Sequence, residues 1–417
     1  RGYKVSYLQN ITDIDDKIIE RAREEGRPFK DVTRDNEKAY LKTMQLLGVD
    51  GVDEYARASD HIKPIIAQII RLMEKGFAYK TTRGVYFEIK KFPDYGKLSR
   101  QNLDELRPGW RIEPDAEKKD PLDFALWKNS KVGEPAWDLN TGKYLGIYDG
   151  RPAFAKASAG RPGWHIEDTA ITEKEFGPQY DLHGGGMDLK FPHHESEIAQ
   201  QEAVSGLKPF VKTWMHVGFL MVNGEKMSKS LNNFITVADF LKHWPAETLR
   251  FMIFQHHYRS PLDYTDETAR QAMAALDGIA QFLAKLAFNK KPESKIGNWK
   301  LEIGNYEADF RAALEEDLNT PAALAAMFSF INEVQKKIWN LSKTDAKKAK
   351  AWVDTTLKIF GITLKTQSIA SEVKKLAARR EKFRLTKDFS ESDRLRNEIS
   401  ALGYTIEDTP AGPFLWP

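Results

Sequence analysis

Apolar residues recur at three- and four-residue spacing in two places along the chain, and each run predicts a helix. Ile62, Ile65, Ile66, Ile69, Ile70 and Met73 give residues 61–75 one apolar side, and Gly76 ends the run. Leu324, Met327, Phe328, Ile331, Val334 and Ile338 do the same further on, behind a cap formed by Leu318-Asn319-Thr320-Pro321. That second stripe is ordinary core packing. Residues 13–51 read as helical and charged, 84–89 as a strand, and 247–258 as a helix leading into a strand-like turn at 261–264. Residues 273–287 open a helical domain.

Between these regions lies a stretch whose polar residues periodicity does not explain. Phe191-Pro192-His193-His194-Glu195-Ser196-Glu197 follows the glycine run His183-Gly184-Gly185-Gly186. His193 and Glu197 are four apart, so on a helix both face one side and can converge on one metal ion, while His194 is expected to point elsewhere. The plainer reading is a helix start, with Pro192 in the first turn and Glu195 and Glu197 favoured by the macrodipole. The glycines weigh against it. They permit positive backbone torsions and let another molecule approach the main chain, which a structural helix start does not require.

Shortly after comes Lys226-Met227-Ser228-Lys229-Ser230, flanked by Gly224 and Asn232-Asn233, which reads as a mobile loop. Its lysines suit charge that develops on a transferring phosphoryl or pyrophosphate group. This string is similar to the signature loop of class I aminoacyl-tRNA synthetases. Further stretches resemble the cysteinyl-tRNA synthetase family: Asn10-Ile11-Thr12-Asp13-Ile14-Asp15-Asp16-Lys17, Asp120-Pro121-Leu122-Asp123-Phe124-Ala125-Leu126-Trp127-Lys128, Gly163-Trp164-His165-Ile166-Glu167, Asp181 to Leu189, and His257 to Tyr264. The resemblance covers nearly the whole chain.

The resemblance implies an α/β fold, a Rossmann-like class I catalytic domain with an inserted connective domain, followed by an α-helical anticodon-binding bundle. The implied boundaries are 1–75 for the remaining first half of the catalytic domain, 76–130 for the connective domain and 131–220 for the second half. The lysine-serine loop and stem-contact region take 221–272, the helical tRNA-binding domain 273–367, and a basic anticodon-contacting region 368–417. The implied activity is ATP-dependent ligation of L-cysteine to cysteine tRNA through a cysteinyl-adenylate, with ATP as its magnesium complex and a zinc ion binding the substrate thiolate. His193 and Glu197 would be zinc ligands, and Trp164, His165 and His183 would line the amino-acid pocket. Gly185, Asp188 and Lys229 would serve ATP, and Lys226, Lys229, Ser228 and Ser230 would act on its phosphates. A cytoplasmic monomer with no membrane association is expected.

Two departures qualify this reading. The family's His-Ile-Gly-His type motif is not found in these residues, so the sequence is expected to be an amino-terminally truncated piece. The family's Trp-His-Ile-Glu-Cys becomes Trp164-His165-Ile166-Glu167-Asp168, which replaces a thiolate by a harder carboxylate oxygen. Asp168 followed by Thr169 also suits a helix cap, in which case the metal is lost.

Composition adds little. The 417 residues carry a net charge of +3, too small by itself to indicate nucleic-acid binding, and contain no cysteine, which excludes disulfides. Gly150-Arg151-Pro152 recurs as Gly160-Arg161-Pro162, which marks 153–162 as a duplication-flanked insertion expected to form a surface loop. Lys374, Lys375, Arg379, Arg380, Lys382, Arg384 and Lys387, with an exposed-looking Trp416, fit phosphate neutralisation and base stacking. Two other readings stay open: a non-catalytic tRNA-binding paralogue, and a ligase joining cysteine to an amino sugar.

Overall fold

The computed structural model describes residues 2–101, 117–150, 158–227, 233–289, 302–365 and 368–417. The chain divides into two compact units, Arg1–Val217 and Gly218–Pro417.

In the first unit, β1 (Leu8–Ile11) pairs in parallel with β2 (Glu54–Arg57), and α1 (Asp16–Glu24) and α2 (Phe29–Leu46) connect them. Asp15 starts α1 by accepting from the amide of Lys17. Helix α3 (Ile62–Glu74) buries Ile62, Ile65, Ile66, Ile69 and Leu72. The expected apolar side is narrower than the sequence implies, because Ile70 and Met73 face solvent.

A six-stranded sheet follows. Its members are β3 (Ala78–Lys80), β4 (Gly84–Phe87), β5 (Phe124–Asn129), β6 (Pro135–Asp138), β7 (Tyr144–Ile147) and β8 (Ala159–Pro162), in the order β3-β4-β5-β8-β6-β7. Strands on both sides of position 130 therefore share one sheet. The described part of the expected insertion is not a surface loop. The second repeat copy, Gly160-Arg161-Pro162, is buried within β8, and Arg161 pairs with Asp16 and Glu134. A side chain at Gly160 would meet Trp127 Nε1 at 2.1 Å, so the strand lies too close to β5 for any larger residue. Residues 151–157 lie outside the described residues.

Three more elements finish the unit: α4 (Trp164–Phe176), a parallel pair of β9 (Tyr180–Gly186) with β10 (Val211–Val217), and α5 (Glu195–Ser205) between those strands. Helices α3, α4 and α5 are joined by buried amides. Gln68 Nε2 donates to Gln201 Oε1 at 2.7 Å and to Glu173 Oε2 at 3.0 Å, and Thr169 Oγ1 donates to Gln68 Oε1 at 2.7 Å.

The second unit opens with β11 (Leu220–Val222) and β12 (Glu225–Lys226), joined by a turn in which Asn223 and Gly224 both have positive φ. Asn-Gly is the pair such a two-residue hairpin requires. Lys226 therefore ends a strand rather than lying in a loop. Met227 follows it, and Ser228, Lys229 and Ser230 lie outside the described residues. After α6 (Val237–His243) and α7 (Ala246–Phe254), β13 (Leu262–Tyr264) pairs with β11. Helices α8 (Asp266–Phe288), α9 (Ile303–Glu315), α10 (Thr320–Gln335) and α11 (Lys343–Ile359) then share one core. Asn319 caps α10 by accepting from the amide of Ala322.

Helices α12 (Ser371–Leu385) and α13 (Phe389–Ala401) pack with the hairpin β14 (Thr405–Thr409) and β15 (Gly412–Trp416). Arg380, expected among the exposed cations, is buried and forms two hydrogen bonds with Asp408. Trp416 is half-buried and stacks on Phe414. Among the described residues no helix is long and apolar enough to cross a membrane.

Candidate functional site

Helix α5 is polar in sequence yet buried along almost its whole length. Glu195, Ser196, Glu197, Gln200, Gln201 and Glu202 are all inside. Burying such groups costs free energy unless each finds a partner. Glu195 accepts from the amides of Gly96 (3.1 Å) and Ser99 (2.5 Å), and Glu202 accepts from Lys97 Nζ (2.5 Å) and the Phe210 amide (3.1 Å). Glu197 is different. Neither of its oxygens has a hydrogen-bond partner, although the side chain is fully buried.

What Glu197 faces is a cluster of nitrogen and oxygen donors. Its Oε1 lies 3.1 Å from His193 Nε2, and that nitrogen lies 2.9 Å from Asp168 Oδ2. The three residues are buried, and their ligand atoms lie within 4.8 Å of one another. Asp168 sits inside α4, so the capping reading does not hold. The spacing of His193 and Glu197 works as expected even though His193 precedes α5 in an irregular turn.

Neighbours fix these groups from behind. Asn10 Nδ2 donates to Asp168 Oδ1, leaving Oδ2 toward His193. His165 Nδ1 lies 2.7 Å from His193 Nδ1, so one proton is shared between them. The Trp164 ring lies over His193 at 4.1 Å between centroids and remains partly exposed. The sequence hid the part played by Asn10, because β1 and α4 are far apart along the chain.

His183 lies on the other side of Glu197. Its Nδ1 is 3.7 Å from Glu197 Oε2 and 2.5 Å from the Tyr180 hydroxyl, and its ring stacks on Trp214. His194 does not point away from the site. Its Nδ1 is 2.8 Å from His216 Nε2, and it forms a second close group with His183 and Glu197.

The glycine run serves this packing in an unexpected way. None of Gly184, Gly185 and Gly186 has a positive φ; they continue the extended strand β9. A side chain at Gly185 would come 2.6 Å from the His194 ring, and one at Gly186 would come 2.6 Å from Asp188 Oδ1. Close approach is the reason for glycine at these two positions, and at Gly185 the approaching group is the protein's own imidazole. Gly184 and Asp188 are exposed at the carboxyl end of the parallel pair, where open α/β sheets bind ligands.

Burial dominates the electrostatics. It pushes the Glu197 carboxyl well above the usual range, and Asp168 adds to the effect. Glu167, whose oxygens are likewise buried without hydrogen-bond partners, is raised by burial and then by Asp168, Asp13 and Asp15. It stood in the sequence motif with no role assigned. Burial lowers His165 well below its ordinary value, His183 to about 4 and His194 to about 2, which leaves their imidazoles neutral. Neutral imidazoles and a carboxylate without a partner can bind a cation. Lys226, in the second unit, places Nζ 4.1 Å over the Phe219 ring.

Comparison with known proteins places the chain in a family. Residues 1–274 match the tRNA synthetases class I (C) catalytic domain, and residues 309–365 match the DALR domain. A protein of Methanococcus maripaludis (strain C7) named cysteine--tRNA ligase is 44% identical, over 98% of this chain and 86% of its own length. Another of that name from Thermoplasma volcanium is 41% identical with the same coverage, and one from Carboxydothermus hydrogenoformans is 41% identical over 99% of this chain and 87% of its own. Among solved structures, Mycobacterium tuberculosis methionyl-tRNA synthetase bound by methionyl-adenylate shares the fold, with a TM-score of 0.58 at 16% identity over 86% of this chain and 81% of that one. The chain therefore belongs to the cysteine--tRNA ligase family of class I tRNA synthetases.

Proposed function

We infer that this protein ligates cysteine to its tRNA at the expense of ATP, passing through a cysteinyl-adenylate. The observation that carries the reading, beyond family membership, is the buried carboxylate of Glu197, without a hydrogen bond and facing His193 and Asp168. The set fits zinc, which accepts imidazole nitrogen and carboxylate oxygen. With the Nδ1 proton of His193 donated to His165, its Nε2 lone pair faces the two carboxylates. Asp168, His193 and Glu197 would hold the ion. Bound there, zinc supplies a Lewis-acid site for a soft thiolate, which serine's hydroxyl imitates poorly.

The protein's own groups then position and shield the substrates. Trp164, His165 and His183 line the amino-acid side, where Trp164 covers the His193 ring and keeps water from it. Gly185 and Asp188 receive the nucleotide at the carboxyl end of β9, with magnesium accompanying the phosphates. The substrate carboxylate attacks the α-phosphate directly, so no covalent enzyme intermediate is required, and pyrophosphate leaves. Lys226 and Lys229, with Ser228 and Ser230 of the same motif, neutralise the charge that develops on it.

For the acceptor, the DALR match over 309–365 supports a tRNA rather than an amino sugar. Residues 1–75 and the part of 131–220 that follows Pro162 supply the nucleotide fold, 76–130 with the strands up to Pro162 that share its sheet the acceptor-end insertion, 221–272 the loop and stem contact, and 273–367 with 368–417 the tRNA-binding portion. We place the protein in the cytoplasm as a monomer. The test is ATP/pyrophosphate exchange with cysteine, and with serine as control, alongside zinc content. Cysteine-dependent exchange by zinc-loaded protein is expected; absent exchange with tRNA binding retained would favour the non-catalytic paralogue.

A further inference from the structure

Glu197 stands between two groups of donors, one for each oxygen. Oε1 faces His193 Nε2 at 3.1 Å, and Oε2 faces His183 Nδ1 at 3.7 Å. The first group is Asp168, His193 and Glu197; the second is His183, His194 and Glu197, whose ligand atoms also lie within 4.8 Å of one another. A carboxylate whose oxygens address separate donor groups is arranged as a bridging ligand. In two-metal sites the ions so bridged sit roughly 3.5–4 Å apart.

The second group is built as carefully as the first. His194 is buried, and its ring is oriented by the 2.8 Å contact between its Nδ1 and His216 Nε2, as outer partners orient ligating imidazoles elsewhere. Gly185 leaves the space that this ring occupies. His183 is held by its stack on Trp214, with ring centroids 4.8 Å apart. Glu197, fully buried and without a hydrogen-bond partner, is aimed into both groups.

We propose that His183, His194 and Glu197 form a second site for a divalent transition metal, sharing the Glu197 carboxylate with the Asp168–His193 site. Two imidazoles and a carboxylate select zinc- or cobalt-like ions over magnesium. The Tyr180 hydroxyl also reaches His183 Nδ1, at 2.5 Å, so an ion bound through that nitrogen displaces the contact. If His183 lines the amino-acid pocket, as the proposed function has it, an ion in the second site competes with substrate there. Occupancy of the second site is then inhibitory, a response to excess metal built into the pocket wall.

Equilibrium titration of the metal-free full chain with Co2+ alone, without cysteine, tests the site independently of activity. Two equivalents are expected. His183→Asn and His194→Gln should each reduce the count to one, Asp168→Asn should remove the other equivalent, and Glu197→Gln should weaken both. Tyr180→Phe should tighten the second event severalfold. Melting of each metal-free variant checks folding, and if His194→Gln does not fold, the more exposed His183→Asn carries the test. One equivalent in the wild type, lost with Asp168→Asn and kept with His183→Asn, would overturn the second site while leaving the zinc reading intact. Two equivalents, neither sensitive to His183→Asn, would also overturn it; no binding at all would remove both.

Discussion

Helices α5 and α10 both bury side chains, but of opposite kinds. Helix α10 hides Leu324, Met327, Phe330, Ile331 and Val334, a stripe that contributes stability through packing. Helix α5 hides glutamates, glutamines and a serine. Nearly every one of these side chains is paired, yet Glu197 is left with two bare oxygens. A helix that bears the cost of burying polar groups, and leaves one carboxylate without a hydrogen bond, is what the proposed ligand site would require. The same comparison distinguishes Glu195 and Glu202, which hold loops in place, from Glu197, whose oxygens make no hydrogen bond and face the His193 and His183 rings.

The contrast can be broken first at its apolar end. Phe330 is fully buried, with the Trp352 ring 4.5 Å away. Phe330→Ala should cost about 3–5 kcal/mol in denaturant unfolding, with no change in metal affinity. Equal losses in both would mean that the two helices are not separate in function.

At the polar end, Asp168→Cys should raise zinc affinity by roughly tenfold or more, because a thiolate is the softer donor. The cobalt form of the variant should also gain a sulfur-to-metal absorption band. Unchanged affinity and no band would place Asp168 outside the ligand set.

A smaller effect is expected at Asn10, which fixes Asp168 without facing the ion's donors. Asn10→Ala should weaken zinc by about tenfold, within the range for partners one step from the metal. Combined with Asp168→Cys it should have little further effect, since a thiolate offers no second oxygen to hold. An undiminished loss in the double variant would show that Asn10 acts on the fold instead.

The smallest effect is a pH dependence. Burial raises the folded carboxyl of Glu197 above its unfolded value, so the folded chain binds more protons than the unfolded chain between the two. That contribution to metal-free stability is fully present below the unfolded value, roughly pH 4.3, and declines as pH rises toward the folded one. Zinc requires the carboxylate, so its binding releases a proton and strengthens with pH. Melting curves should therefore show the gap between zinc-loaded and metal-free protein widening as pH rises; a constant gap would mean that no proton is displaced.

Much of this was legible in the sequence, and what was not had a physical cause. Most of the α10 stripe and its capping segment could be read directly, because periodicity and capping are local, but Phe330 was missed, Phe328 is only partly buried and Ile338 lies beyond the end of the helix. The spacing of His193 and Glu197 on one side was legible for the same reason. The place of His194 was not, since its ring is set by His216 on β10 and by the room at Gly185 on β9. Nor was the burial of Gly160-Arg161-Pro162, whose small and charged residues look like a loop until Asp16 and Glu134 supply partners for the arginine. The glycine run was marked as special for positive torsions, which the strand does not use, and for the approach of another molecule, whereas the group that approaches Gly185 is the protein's own His194 ring.

Under the proposed function, Glu197 is kept free of hydrogen bonds for a cation. Metal-free wild type and Glu197→Gln should be titrated with zinc at one neutral pH, with melting of both metal-free forms as control. The amide variant should melt no lower than wild type, because it replaces a carboxyl that burial already disfavours as an anion, while its zinc affinity should fall by more than about a hundredfold. Equal zinc affinity in the two proteins, or a variant that unfolds without metal, would contradict this reading.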